Sequence, residues 1–410
     1  MTRKFAPVYC AFAAAYFLSY LYRTANAVIS PDLTRDLSLN PASLGLLTGA
    51  YLLGFGLMQV PAGILLDRFG PRRVEPVLLA FAAVGSIAFG LASALTELVV
   101  ARALIGIGVC VCLMAPLKAI AMWFPPDEQA SLSGWIMVAG GLGALAATAP
   151  LDAALHVATW RSIFVVLGAI TLAVAAMIVW LVPDIQRPDV VPSLASQWRD
   201  VIDVFAHPRF WWMAPLSAVG MGGSFMAIQG LWAVPWMIDV DGVSRGEAAD
   251  RLFVLTIVMM SAYLALGLFA TGLARRGVTS RHVFAAGVTL HTLALAAILV
   301  NAPGSYVWWS LYGCGAAVNV LAFTVLNSGF AKEVVARVNT ALNLLMFGGS
   351  FVMQWGIGLV VEAARTHLAF DTRGGLRLAF TIVLGLDAFT LAWFAYGWRR
   401  HALTHATAIA

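Results

Sequence analysis

Twelve stretches of predominantly apolar residues, each near the ~20 residues a helix needs to cross ~30 Å of hydrocarbon, constrain this chain more than any other feature. They run over 6–29, 43–66, 74–95, 98–122, 130–151, 161–182, 210–237, 250–273, 281–301, 305–330, 338–362 and 377–398. Lipid offers no hydrogen bonds, so backbone crossing it must satisfy its own N–H and C=O groups, and runs of this length do so as helices. Composition points the same way. Of 410 residues, 61% are hydrophobic and 11% charged, where a soluble domain carries roughly 25% charged residues. The expected fold class is an all-α membrane protein of twelve transmembrane helices held in a lipid bilayer. A net charge of +5 suggests no nucleic-acid partner, because the basic residues are scattered among short connections.

An even number of spans places both termini on one side. The connections on the side of the termini hold fifteen Lys and Arg residues against seven on the other, so the positive-inside bias places both termini in the cytoplasm and the chain in the cytoplasmic (inner) membrane. The first apolar run follows Arg3 and Lys4 but is too long for a cleaved leader, and is expected to stay as a span. One connection, Pro183 to Arg209, is longer than the rest. Its prolines at 183, 188 and 192 break helix, whereas Ser193 to Phe205 reads as a short amphipathic helix on the membrane surface. It divides the chain into an amino-terminal six-helix half (1–183), a cytoplasmic linker (184–209) and a carboxy-terminal six-helix half (210–410).

Within the first run, Tyr16, Ser19, Tyr20, Arg23 and Asn26 share one helical face. An arginine at bilayer depth costs at least ~3 kcal/mol on insertion scales and is normally turned toward a bundle interior or a water-filled cavity. The alternative is that Arg23 snorkels to the surface or anchors a neighbouring helix. Arg102 and Lys118 are the other cations within spans, sixteen residues and thus 160° apart on a helix, so Lys118 is expected to reach for the cytoplasm and not to share a face with Arg102. His291 and Asp387 are titratable groups inside the ninth and twelfth spans with no assigned role. The four cysteines lie in apolar runs without metal-ligand companions.

After the second run comes Gly63 to Arg73, G-I-L-L-D-R-F-G-P-R-R. It matches G-x-x-x-D-R-x-G-x-R-R and resembles the signature of the major facilitator superfamily. The resemblance implies two pseudo-symmetric six-helix halves that open alternately to the two sides. It also implies a cytoplasmic gate of Gly63, Asp67, Arg68, Gly70, Arg72 and Arg73, with Gly63 allowing close helix approach, Gly70 supplying the turn, and the arginines forming gate salt bridges. Asp67 would bind the amino terminus of span eleven near Asn339 to Leu342. The corresponding stretch of the second half, Ala270 to Gly277, keeps arginine and glycine but has Ala274 in place of the aspartate. Leu98 to Gly108, with Arg102, Gly106 and Gly108, resembles a second superfamily motif. The glycine-rich fifth span lacks the G-P-x-x-G-G pattern of drug:proton antiporters.

Tyr22 to Asn26, Y-R-T-A-N, resembles the first span of the anion:cation symporters and organophosphate:phosphate antiporters, in which an arginine attracts an anion. Two features of those families are missing. Tyr22 and Val109 stand where the symporters carry acidic residues, and Gln229 and Gly230 stand where the antiporters carry a second arginine. The expectation is a secondary transporter, not an enzyme, for a small and singly charged organic or inorganic anion. Arg23, Tyr16, Tyr20, Asn26 and Arg102 would bind it from the first half, and Gln229, Trp232, Asn319 and Asn343 from the second. Alternatives are a proton-coupled exporter of drugs or metabolites, and a non-transporting receptor or assembly component. No phosphate-binding loop, metal cluster or paired carboxylates occur, so no cofactor is expected. The chain is expected to act as a monomer, with room for a coupling proton or other ion.

Overall fold

The computed structural model describes residues 6–183, 194–330 and 334–406, and every element among them is helical. Eight segments are long and apolar enough to cross a membrane as they stand: Pro71–Leu91, Leu95–Trp123, Trp160–Leu181, Arg245–Phe269, Ser280–Leu299, Ser305–Asn327, Val335–His367 and Thr372–Trp398. Two more are bent pairs, Pro41–Leu57 with Gln59–Phe69 at 44° and Ser131–Ala146 with Ala149–Leu155 at 42°. The first helix, Ala6–Leu37, has 32 residues, but the tyrosines, Ser19 and Arg23 on its polar side dilute its hydropathy. The seventh segment, from Phe210 to Asp239, is assembled from short 3-10, π and α pieces.

Proline accounts for the bends. A proline removes the hydrogen bond to the carbonyl four residues back and pushes against it. Pro61 faces Leu57 at the 44° bend, and Pro150 faces Ala146 at the 42° bend. Pro116 follows the interruption between Leu95–Val109 and Met114–Trp123. Pro31 sits inside the first helix, where the Ser30 hydroxyl donates to the Ala27 carbonyl that the proline leaves free, at 2.9 Å. The helix therefore runs to Leu37, eight residues past the expected end of the apolar run.

A helix is present at Leu194–Phe205, within the stretch expected to be a short helix; the preceding 184–193, with Pro188 and Pro192, lie outside the described residues. Between the second and third segments, Gly70 ends one helix and begins the next at φ +75°, a left-handed angle that favours glycine. Gly106 and Gly108 lie against backbone, facing Tyr51 and Ala82 with no room for a Cβ. Gly63 does not behave as expected: a Cβ there would meet nothing within 4 Å, so it is not a point of close helix approach.

The first and last six segments meet chiefly where Pro41–Leu57 packs against Val335–His367. Gly45, Gly49 and Gly56 on one helix face Gln354, Phe351 and Phe347 on the other. The Phe55 and Phe347 rings touch across this seam at 4.4 Å between centroids. At the end of the bundle opposite Asp67, Arg245 of the last six segments pairs with Asp32 at 2.7 Å and Asp152 at 2.8 Å, both of the first six.

Candidate functional site

Between the two sets of segments, a small cavity of about 30 Å³ is lined by Arg23, Thr24, Thr48, Tyr51, Leu52, Met226, Gln229, Gly230 and Gln354. These residues come from the first, second, seventh and eleventh segments, two from each set of six. The cavity lies on the seam along which the two sets would have to part.

Arg23 is its only lining cation. The guanidinium lies 4.7 Å from the Tyr20 ring centroid, 4.9 Å from Phe55 and 5.6 Å from Phe347, so aromatic faces from both sets of six surround it. The Tyr51 hydroxyl lies beside it and donates to the Ser19 carbonyl at 3.1 Å. No carboxylate pairs with Arg23 among the described residues, and its Nε has no hydrogen-bond partner. Aromatic faces and a phenol hold the charge in place without cancelling it.

Around the cation the lining is polar and neutral. Thr48 donates to its own helix at Leu44 O, 3.0 Å away, and accepts from Asn26 Nδ2 at 2.9 Å. Gln229 reaches Thr256 Oγ1 through a long 3.5 Å contact. Neither the oxygen nor the nitrogen of the Gln354 amide has a partner. Buried amides are normally satisfied, so Gln354 offers a donor and an acceptor to whatever occupies the cavity.

Of the nine residues expected to bind substrate, Arg23 and Gln229 line the cavity. Tyr20 supports the guanidinium from below, and Tyr16 packs edge-on against Tyr20 with 5.1 Å between centroids. Asn26 is fully buried behind Thr48 and positions that hydroxyl. Arg102 does not belong to the cavity: its guanidinium is fully buried, donates to Tyr22 O at 3.1 Å and lies over the Tyr51 and Phe89 rings. Trp232 is spent on the Gln354 carbonyl, at 3.0 Å. Asn319 and Asn343 are half-buried on their own helices and do not line the cavity. Thr48 and Tyr51 were missed because both sit in an uninterrupted apolar run. Their i, i+3 spacing with Phe55 beyond them is the signal that could have found them, whereas Gln354 and Met226 lie on polar or amphipathic stripes visible in the sequence.

The expected gate motif also differs in its contacts. Asp67 pairs with Lys118 Nζ at 2.7 Å, and the same ammonium donates to Leu66 O at 2.8 Å. The eleventh segment already begins at Val335, so Asn339 to Leu342 lie inside its helix and present no free amino terminus there. Lys118 thus ends on the aspartate and not in open solvent. Arg68 lies over Phe69 at 5.3 Å, and neither it nor Arg72 forms an ion pair among the described residues.

The family model described as Major Facilitator Superfamily matches residues 12–354. The chain belongs to this superfamily. Among the relatives of this superfamily member, the hexuronate transporter of Bacillus subtilis is 23% identical, over 93% of this chain and 92% of that protein. A probable sulfoacetate transporter of Cupriavidus necator is 30% identical over 157 residues, so that the chain spans about 36% of that relative's length. The hexuronate transporter of Escherichia coli is 29% identical over 45% of this chain and 42% of its own. Among solved structures, a bacterial homolog of the human lysosomal transporter Spinster, in an inward-facing and unoccupied conformation, superposes with a TM-score of 0.77. It is 19% identical, over 97% of this chain and 98% of the other. At that identity the likeness is one of fold.

Proposed function

We propose that this chain is a secondary transporter that moves a small, singly charged organic anion across the cytoplasmic membrane by alternating access. The observation that carries the reading is Arg23: a cation on the cavity wall, shared between aromatic faces of both six-helix halves, with no carboxylate against it. A guanidinium in low dielectric, away from counter-charge, favours an anion strongly, and its planar fork suits a carboxylate or sulfonate. One cation matches one negative charge. The neutral donors and acceptors of Thr48, Gln229 and Gln354 suit hydroxyl groups, so a hydroxylated monocarboxylate of hexuronate type fits both features. The names of the hexuronate and sulfoacetate transporters among its relatives support the anionic substrate.

The halves on this reading are residues 1–183 and 210–410, joined by a cytoplasmic linker, with both termini cytoplasmic and one chain as the working unit. Charge bias across the connections supports that orientation. Arg245 with Asp32 and Asp152 closes the outer side, and the Asp67–Lys118 pair lies at the cytoplasmic rim.

The test is exchange in proteoliposomes preloaded with D-galacturonate. Wild-type protein should take up labelled D-galacturonate by exchange, Arg23→Ala should lose it, and Arg23→Lys should keep part of it. Undiminished exchange in Arg23→Ala would remove Arg23 as the anion selector.

A further inference from the structure

Outside the cavity, the second half encloses a titratable cluster that the transport of an anion by Arg23 does not use. Asp387 of Thr372–Ala406 is 1% exposed, and His291 of Ser280–Leu299 is fully buried. Between them stands Ser224, the last residue of the π-helical stretch Leu216–Ser224 in the seventh segment. The Ser224 oxygen is 3.0 Å from Asp387 Oδ2 and 3.5 Å from His291 Nε2, and it also contacts the Gly220 carbonyl oxygen. His291 Nε2 lies 3.9 Å from Asp387 Oδ2. On the other side of the ring, Nδ1 is 3.2 Å from the Tyr312 carbonyl.

A carbonyl can only accept, so Nδ1 carries the proton of a neutral His291 and Nε2 is left as an acceptor. An ionised Asp387 is likewise acceptor-only. The Ser224 hydroxyl has three acceptors around it, the Gly220 carbonyl, the Asp387 carboxylate and the His291 lone pair, and the Tyr312 hydroxyl beside it is the one further donor. Two hydroxyl hydrogens cannot serve three acceptors. Adding one proton resolves the conflict: carried on Asp387, it is donated to the Ser224 oxygen, which is then free to donate to Gly220; carried on Nε2, it is donated toward Asp387 and Ser224.

No lysine or arginine pairs with Asp387 among the described residues. The groups facing it are His291 from the ninth segment, Ser224 and Gly220 from the seventh, and Thr390 from its own helix, while Tyr312 of the tenth stacks on the His291 ring at 4.1 Å. The remaining charged and titratable residues of the helices packed on it, Asp239, Arg281, His282, Arg337, Glu362, Arg365 and His367, are at helix ends. A lone carboxylate enclosed in this way is strongly disfavoured unless it is protonated or paired with an imidazolium.

We propose that Asp387, His291 and Ser224 form a proton-binding site, and that its occupancy is coupled to the anion cavity through the seventh segment. Ser224 belongs to the proton site, and Gln229 and Gly230 of the same segment line the cavity. Ser224 ends one π-helical stretch, Leu216–Ser224, and Gln229 and Gly230 lie in a second, Ile228–Trp232, with only Phe225–Ala227 between them, and π-helical turns of this kind favour functional sites. A proton bound with a singly charged anion makes the loaded carrier neutral relative to the empty one. This coupling rests on the anion reading above, and the site itself does not.

Two measurements separate these claims. In infrared difference spectra of the purified protein between acid and alkaline pH, wild type should show a protonated-carboxyl band that is lost in Asp387→Asn and kept in Glu75→Gln, which removes another buried carboxyl. Identical spectra for wild type and Asp387→Asn would overturn the proton site. In proteoliposomes, an inside-alkaline pH gradient should drive wild-type accumulation of D-galacturonate. Asp387→Asn should retain exchange of internal for external D-galacturonate but lose the accumulation. Accumulation at the wild-type level in Asp387→Asn, or joint loss of exchange and accumulation in a variant with wild-type thermal stability, would overturn the coupling. If wild type fails to exchange D-galacturonate, the substrate reading fails while the infrared result still decides the site.

Discussion

Two arginines in apolar runs meet opposite fates in this fold. Arg23 faces the cavity with its charge uncompensated, while Arg102 is sealed behind Tyr51 with Nε and one terminal nitrogen lacking partners. On the proposed reading, Arg102 acts on structure and Arg23 on the ligand. Arg102→Met should leave the apparent affinity for substrate within about threefold of wild type, since the lost group touches no ligand, and should change the thermal unfolding temperature instead; a large KM effect would place Arg102 in the site. At Gln354, if the proposed site holds the substrate, replacing the unpartnered amide by leucine should remove one hydrogen bond to it, a loss of about 1 kcal/mol or roughly fivefold in affinity. That loss should be larger for a hydroxylated carboxylate than for acetate, which separate inhibition constants would show.

At the scale of helices, glycine and proline mark different constraints. Gly106 lies directly on the Tyr51 backbone, so Gly106→Leu must push the fourth and second segments apart. Overpacking of this kind costs about 1–3 kcal/mol and should lower the thermal unfolding temperature and the yield of folded protein. Gly63 has open space around its Cα. Gly63→Ala should be tolerated or stabilising by up to ~1 kcal/mol, because alanine holds a helix better than glycine. The motif is thus partly readable from sequence alone: the φ of +75° at Gly70 follows from a helix that must stop and restart within one residue, while the packing of Gly63 depends on a neighbour that is absent here. The seventh segment shows the same limit. Its apolar run was visible, but the π-helical turns were not; within them Ser224 and Trp232 make long-range hydrogen bonds to Asp387 and the Gln354 carbonyl.

For the whole molecule, the two halves are held by two kinds of contact. Along Pro41–Leu57 and Val335–His367 the seam is apolar and closely packed. At the end opposite Asp67, the outer end on the proposed orientation, it is ionic, with Arg245 shared between Asp32 and Asp152, whose side chains are each 10% exposed. Breaking a buried pair leaves its partner uncompensated, at a cost of roughly 3–5 kcal/mol where burial is complete and less here. Arg245→Ala should therefore favour opening on the outer side. A cysteine introduced at Gln354, in a background without Cys10, should then react faster with an impermeant thiol reagent added from outside. An unchanged rate would mean that the ion pairs do not hold the outer side closed.

Hydropathy and charge bias are local and additive, so the sequence alone determined the helical class, the number of spans, the short helix at Leu194–Phe205 and, through one motif, the superfamily. It also picked out Arg23, because a charge in a lipid-length apolar run is costly wherever the run is placed. Which face of each helix borders the cavity was decided only by tertiary structure. That choice depends on partners far apart in the chain: Arg23 is enclosed by Phe55 and Phe347, Thr48 is aimed by Asn26, and Asp67 is claimed by Lys118. The same distance along the chain hid the proton site, since Ser224, His291 and Asp387 come together only when three helices pack.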